Sequence, residues 1–541
     1  MHACVARFVT SSGNSDEHLA VKQAGSKTIM SLLAIDIGSS RCKAVVFALT
    51  GEILAQHAYA YTPEFPAPTL AEINPERFWQ SVCNCSQAVS KNLTDPVRAL
   101  CLNSHGETFV PVNGRNEAIA PAILNQDNRA TEEAVWLERT IGRKTLFEIT
   151  GLVAHPMYPV AKFLWLRKHR PDVITPSVRF LSVIGYVLSR LGLPPYIDYS
   201  LASRYLAFDI RQQGWSQEIL AATEINVECL PIPIPAGTLA GKLDGSAASQ
   251  LGLSKGTIVV MGGHDQPCGA LGVGAIDSGR VADSMGTYEC LLAASDQPIL
   301  TDAALAASLN SYCHVVADRF VTLAYFPSGI MVKWFHDLLY GEANGESDPA
   351  QDGDGYEADS IHYSALERDA PSGPTGLCVT PNLIGTCNPD FNPHARGIIS
   401  GLGPNTSRSQ IYKGILEGLA CEMSQMSETL ASAVGDFRDV YVTGGGSRSA
   451  LGLRLRAALS GRRLHVMECP EAVCLGGAIL AGVASGEYGS LREAMELLVR
   501  EVATISPDPA MAQAYAEQSK QYRHLRSALM ATKSSTSPQE E

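Results

Sequence analysis

Apolar positions along this chain fall into short β-branched or aliphatic runs that end at a glycine, a hydroxyl or an acid, followed by turns or helical segments. Gly256-Thr-Ile-Val-Val260 is such a run, and it predicts a buried strand leading through Met261-Gly-Gly-His to Asp265. The small residues from Cys268 to Ala275 then begin a helix. A strand that stops at a glycine-flanked acid and turns into a helix sets that acid at the mouth of a sheet, where open α/β sheets bind ligands. The same residues would equally serve as a helix N-cap and a turn. Near the start, Ser31 to Phe47 reads as strand, tight turn and strand, with Asp36 at the end of the first, and Ile53 to Tyr61 completes a meander. Asn74-Pro75 predicts a helix start. Val97 to Leu102 is a strand ending in Asn103-Ser-His-Gly-Glu-Thr108, and Pro121 to Leu124 leads into Asn125-Gln-Asp-Asn-Arg129. Arg280 to Glu289 holds a strand ending at Gly286-Thr287, and Arg438 to Val442 runs into Thr443-Gly-Gly-Gly-Ser447 and a helix to Ser460. Glu471 to Ala481 is a helix of small residues suited to close packing.

At 541 residues the chain calls for two or three domains. A content of 45% hydrophobic and 18% charged residues supports a sizeable core. A net charge of -13 argues against a nucleic-acid surface, though not against a nucleotide received by glycine loops and a cation. The 14 cysteines are scattered without C-x-x-C pairs, as expected for buried thiols in a reducing, cytoplasmic setting. No run approaches the roughly 18 apolar residues of a membrane span. Met1 to Lys27 lacks the apolar stretch of a secretory signal. Residues 1–29 are expected to be a disordered leader, Gly341 to Ser360 a mobile acidic insertion, and residues 531–541 a disordered tail.

Several of these stretches carry candidate chemistry. Gly38, Ser39 and Ser40 offer backbone N–H groups and hydroxyls, Lys43 adds a cation, and Asp36 can hold a metal through water, unless the hairpin is only a glycine turn. Gly286 and Thr287 form a plausible second phosphate clip. The triplet Gly444, Gly445 and Gly446, with Ser447, sits at a strand-to-helix junction able to receive phosphate or the edge of adenine. His105 and Glu107 at one strand end, unless they lie in a solvated loop, and Asn125, Gln126, Asp127 and Arg129 at another offer the carboxylates and amides that sugar hydroxyls need, since a hydroxyl both donates and accepts. Lys162 and Trp165 share a helix face, which by itself reads as packing plus a solvated lysine.

Taken together, the motifs resemble the FGGY carbohydrate kinases, a family of the actin-like ATPase superfamily that includes xylulokinases, ribulokinases, fuculokinases and glycerol kinases. The resemblance runs from Leu32 to about Arg526. Met157 to His169 fits the family's first signature. Gly397-Ile-Ile-Ser-Gly-Leu, seven residues, then Gln410-Ile-Tyr-Lys-Gly-Ile-Leu-Glu417 fits the second, departing at Gly414. Asp36 to Lys43, Gly263-His-Asp-Gln266, Gly286-Thr287 and Gly444 to Gly446 match its remaining motifs in order.

The resemblance implies two actin-like (ribonuclease H-like) α/β domains, 30–275 and 276–530. Each would be a mixed five-stranded sheet flanked by helices, with nucleotide and sugar in the cleft between them. It implies ATP and Mg²⁺ as cofactors, with Asp265 the general base and Asp36 and Asp265 on the metal side. Gly38, Ser39, Ser40, Lys43, Gly286, Thr287, Gly444, Gly445, Gly446 and Ser447 would surround the nucleotide. His105, Glu107, Asp127, Asp265 and Gln266 would hold a small ketose or polyol. Homodimers are common in the family; neither nucleic acid nor membrane is an expected partner. Ser104-His-Gly resembles xylulokinases, whereas Gly106-Glu-Thr and Asp265-Gln266 are closer to glycerol kinases, so the sugar stays open. Asn125-Gln-Asp127 lacks the tryptophan usual there, which removes an aromatic wall. A catalytically silent sugar- or nucleotide-binding regulator of the same fold is the alternative.

Overall fold

The structure, a computed structural model, describes residues 30–341, 355–392 and 394–531. The expected leader lies outside these residues, as do the tail beyond Ala531 and the acidic insertion from residue 342 to 354; from Gly355 to Arg368 the chain is helical.

The first half is organised on β1 (Ser31–Ile37), β2 (Arg41–Ala48), β3 (Ile53–Ala60), α1 (Glu76–Ser90), β4 (Val97–Ser104), α2 (Pro159–His169), β5 (Leu239–Lys242), β6 (Ile258–His264) and α3 (Asp265–Gly272). Its sheet has the order β5-β6-β4-β1-β2-β3, with β1, β4 and β6 parallel. Alternation along β1 explains why that strand is apolar throughout: Leu33, Ile35 and Ile37 enter one core and Leu32 and Ala34 another. A small four-stranded sheet made from residues between Glu72 and Ser182 is attached to this half.

The second half uses β7 (Val281–Met285), β8 (Tyr288–Ser295), β9 (Asn310–Cys313), β10 (Phe320–Pro327), α4 (Gly329–Tyr340), α5 (Arg408–Val434), β11 (Asp439–Thr443), α6 (Ala450–Ser460), β12 (Arg463–Met467), α7 (Ala472–Ala484) and β13 (Glu501–Ile505). Its order is β9-β10-β8-β7-β11-β12-β13. The series β3-β2-β1-β4-β6 thus recurs as β10-β8-β7-β11-β12 with the same strand senses. The expected five-stranded cores are present, but the full sheets have six and seven strands. Antiparallel β5 extends the first sheet, and β9 and β13 extend the second at its two edges, covering backbone groups that an open edge leaves unpaired.

Helices α3 and α7 lie between the two sheets. Residues of α7 join the core on the first sheet, while Ala270 and Val273 join the core on the second. Their backbones nearly touch. A Cβ built on Gly272 would stand 2.0 Å from the Ala472 carbonyl oxygen, and one on Gly476 2.0 Å from that of Cys268. Any side chain at either glycine would force the two helices apart, and the ends of β1 and β6 with them.

A cleft that gathers two carboxylates

Between the two halves lies a cleft with Asp36, Asp265, Gln266, Ser284, Thr443 and Gly444 in its wall. Each group arrives at a strand end. Asp36 is the penultimate residue of β1, and Asp265 is the first helical residue after β6. The predicted strand is longer than its apolar run: β6 continues through Met261-Gly-Gly to His264, which is the residue flanking α3. Asp265 is therefore no helix cap. Its Oδ1 accepts the Gln266 N–H at 2.6 Å, and His264 Nε2 lies 3.2 Å from the same oxygen.

The electrostatics favour proton-holding forms. Burial pushes the Asp265 carboxyl well above the usual carboxylate range, with the nearby Asp36 charge adding to it. Burial also raises Asp36, to about 6, against the pull of Lys43. One Asp36 oxygen, the Gln266 side-chain oxygen and the Thr443 hydroxyl are buried without partners inside the protein. Unsatisfied polar atoms of this kind mark a place prepared for something polar from outside. A carboxylate oxygen left without a donor fits a hard cation that keeps most of its waters and arrives with a phosphate. Among the described residues no group of three or more His, Cys, Asp or Glu could hold a metal by itself.

Other predicted residues stand apart from the cleft wall. Lys43 extends across to the second half, where its Nζ meets Glu471 Oε2 at 2.6 Å. Gly286 and Thr287 form the exposed turn between β7 and β8. Gly444 alone of the triplet lines the cleft, and Ser447 donates to its carbonyl at 2.7 Å. His105 is buried with both ring nitrogens engaged, Nδ1 at 2.8 Å from the Ile37 carbonyl and Nε2 at 2.7 Å from Thr108 Oγ1. Burial holds its pKa down, so it is neutral. Asp127 is fully buried, and its oxygens accept from the Ala71 N–H at 2.6 Å and from the Arg129 guanidinium at 2.7 and 2.9 Å.

Lys162 corrects the sequence reading directly. It is not solvated: the side chain is fully buried and donates to the Leu124 carbonyl at 2.6 Å. Burial lowers its pKa to about 7. The second signature is structural as well. Glu417 accepts from Tyr515 at 2.9 Å and Gln518 at 2.6 Å, and Lys413 holds the Gly373 carbonyl at 2.6 Å.

Glu107 takes a left-handed backbone conformation, φ 60°, and its carboxylate pairs with buried Arg204. Arg204 also donates to Asn310 and lies over the rings of Tyr158 and Tyr312 at 5.3 and 4.8 Å. The Tyr312 hydroxyl reaches His264 Nδ1 at 3.3 Å, closing a chain of contacts from Glu107 to Asp265. Sequence reasoning missed Arg204, Tyr158, Asn310 and Tyr312. One signal was available for Arg204, a lone cation inside the otherwise small and apolar Ser200-Leu-Ala-Ser-Arg-Tyr-Leu-Ala207.

Duplicated α/β halves meet at a cleft whose wall combines Asp36 and Asp265 from the first half with Ser284, Thr443 and Gly444 from the second. Residues 31–272 match the FGGY family of carbohydrate kinases, N-terminal domain, and residues 281–485 match the C-terminal domain of that family. The chain belongs to the FGGY family of carbohydrate kinases. It is similar to a gluconokinase of Bacillus subtilis (strain 168), 24% identical over 86% of this chain and 90% of that protein. Similarity to a xylulose kinase of Escherichia coli (strain K12) reaches 25% identity over 91% and 98%. Among solved structures, ligand-bound xylulose kinase from Lactobacillus acidophilus matches with a TM-score of 0.81 at 21% identity, covering 93% of this chain and 99% of that one. Plasmodium falciparum glycerol kinase with ADP matches with a TM-score of 0.79 at 18% identity over 92% and 98%. Among the described residues no helix is long and apolar enough to cross a membrane.

Proposed function

We propose that this protein transfers the γ-phosphoryl group of ATP to a hydroxyl of a small ketose or polyol, with Asp265 as general base. The observation that carries the reading is the meeting of Asp265 and Asp36 in one cleft, where burial and the nearby Asp36 charge make the ionised form of Asp265 a stronger base than a solvated carboxylate. Asp265 takes the hydroxyl proton as the sugar oxygen forms its bond to the γ-phosphorus. The bond from that phosphorus to the β–γ bridging oxygen breaks, and ADP leaves with the electron pair. Asp36 is the residue that would hold Mg²⁺, whose role when bound is to neutralise phosphate charge. Glycine and hydroxyl groups at Gly38 to Ser40, Gly286-Thr287 and Gly444 to Ser447 receive the nucleotide. Since the polar atoms of His105 and Asp127 are engaged within the protein, these two shape the acceptor pocket. Direct contact falls to Asp265, Gln266 and the Glu107–Arg204 pair.

The test is a coupled assay of ADP release from magnesium-ATP across ketoses, polyols and aldonates, with Asp265→Asn as control. An acceptor that works with the native chain and fails with the variant supports the reading. Release that needs no acceptor, or survives in the variant, overturns it. Sugar-induced thermal stabilisation without any turnover would instead favour the silent binder.

A further inference from the structure

Glu289 and Arg456 are 167 positions apart in sequence and fully or nearly fully buried. Arg456 Nε donates to Glu289 Oε1 at 2.9 Å and Nη2 to Oε2 at 2.6 Å, a two-pronged contact that fixes orientation as well as distance. Glu289 lies in β8, directly across the hairpin from Met285. The backbone of Met285 backs the glycine triplet: a Cβ on Gly444 would stand 2.8 Å from its carbonyl oxygen. Ser328 donates its hydroxyl to Glu289 at 2.8 Å and its N–H to the Thr287 carbonyl at 3.1 Å, and the next N–H, of Gly329, reaches the Gly286 carbonyl at 3.0 Å. Arg456 stands on α6, which follows the triplet loop and is capped by Ser449. One ion pair thus joins the hairpin carrying Gly286-Thr287, the start of α4 and the helix leaving Gly444 to Ser447.

A third group makes the cluster poor as a stabilising device. Asp283 is on the same face of the hairpin, fully buried, with neither carboxyl oxygen partnered. Burial, reinforced by the Glu289 charge, holds it well above the usual carboxylate range despite Arg456. Buried ion pairs seldom outperform well-packed apolar residues, and an unpartnered acid beside one adds cost. What such an arrangement supplies is fixed geometry.

We infer that Glu289 and Arg456 are positioning residues that set the separation between the Gly286-Thr287 turn and the Gly444 to Ser447 loop, and so govern nucleotide affinity without touching nucleotide. The inference rests on the reading of those two loops as the nucleotide site.

Full-length Glu289→Gln, Arg456→Met, Ser328→Ala and Asp283→Asn test it, with magnesium-ADP titrated calorimetrically and KM measured separately for ATP and for the acceptor. Glu289→Gln and Arg456→Met are expected to raise the ADP Kd and the ATP KM by about tenfold or more, leaving the acceptor KM unchanged. The double variant should be no worse than either single one, because both remove one interaction. Ser328→Ala keeps the ion pair and should cost about two- to fivefold in ADP affinity. Asp283→Asn should bind ADP like the native chain. Native ADP affinity in Ser328→Ala together with a folded Glu289 or Arg456 variant overturns the inference. So does native affinity in Ser328→Ala alone, should the ion-pair variants fail to fold. A merely structural role would lower kcat through the active fraction and leave both KM values alone, which also overturns it. If the native chain binds no ADP, the nucleotide reading itself falls and the inference with it.

Discussion

The two hairpins that face each other across the cleft share a topology and differ in chemistry. In the first half, β1 and β2 bring Asp36 opposite Lys43, and the third parallel strand delivers Asp265. In the second half the ends of β7 and β11 supply Ser284, Thr443 and Gly444, and the carboxylates of Asp283 and Glu289 are turned away from the cleft into the helix-covered core. The same strand senses therefore yield an acidic wall on one side and, on the other, a hydrogen-bonding wall whose cleft-lining carboxylate, Glu471, is paired with Lys43. Proton transfer and cation holding need the first, and reception of an anionic nucleotide needs the second, since unpaired carboxylates on both walls would repel phosphate.

The sharpest way to break that division is Asp265→Asn. It keeps the shape and removes the proton acceptor, so turnover should fall by about 10²–10⁴-fold with ADP affinity nearly unchanged. Equal losses in both would mean that Asp265 serves the nucleotide rather than the acceptor. On the opposite wall, Gly444→Ala should do the reverse. Gly444 has φ +89°, and a Cβ there would stand 2.8 Å from the Met285 carbonyl oxygen. The expected cost is about 1–3 kcal/mol of stability, with ADP affinity weakened about tenfold and acceptor binding spared. Native ADP titrations of the alanine variant would remove the triplet from the nucleotide site.

A smaller effect separates function from stability on the acidic wall. The Asp36 pKa is raised from 3.8 to about 6, so the folded state binds its proton more tightly than the unfolded chain does. Asp36 therefore lowers stability as pH rises through that window, and the cost is complete above it. Asp36→Asn should unfold at a higher temperature than the native chain at pH 8, with the gap closing toward pH 4, while losing magnesium-dependent activity. A gap that is constant with pH would mean that Asp36 is solvated and ordinary.

How much of this could be read from sequence depended on the range of the interactions involved. Asp36 and Asp265 were legible because a strand, a glycine and an acid are neighbours in the chain, and local pattern places them at a sheet mouth. The five-strand core came from the family resemblance rather than from local pattern, and the added edge strands were not legible, because Leu239–Lys242 and Glu501–Ile505 are short and carry no strong alternation. Lys162 looked like a surface lysine on its helix because its partner, the Leu124 carbonyl, is 38 residues away. His105 and Asp127 have sugar-binding chemistry in isolation, and only the fold shows Ile37, Ala71 and Arg129 occupying their polar atoms. The partner of Arg204 is 97 residues distant, so the composition of its surroundings could flag burial but could not name Glu107.

The contact between Lys43 and Glu471 is where the two walls meet, and changing it should give the smallest effect. Their side chains are 29% and 19% exposed, so the pair is worth no more than about 1 kcal/mol to stability. Its consequence lies elsewhere. Glu471 occupies Lys43, the cation proposed to face phosphate, and its charge helps to hold the Asp36 pKa up. Glu471→Gln releases Lys43 and lets Asp36 ionise more readily. If the pair competes with nucleotide, the ATP KM of Glu471→Gln should fall about two- to fivefold, with the unfolding temperature barely moved. The gain should shrink at high salt, where a freed lysine is screened. A rise in KM would reverse the assignment. Glu471 would then be orienting Lys43 toward phosphate, and the second wall would owe part of its nucleotide affinity to an acid of its own.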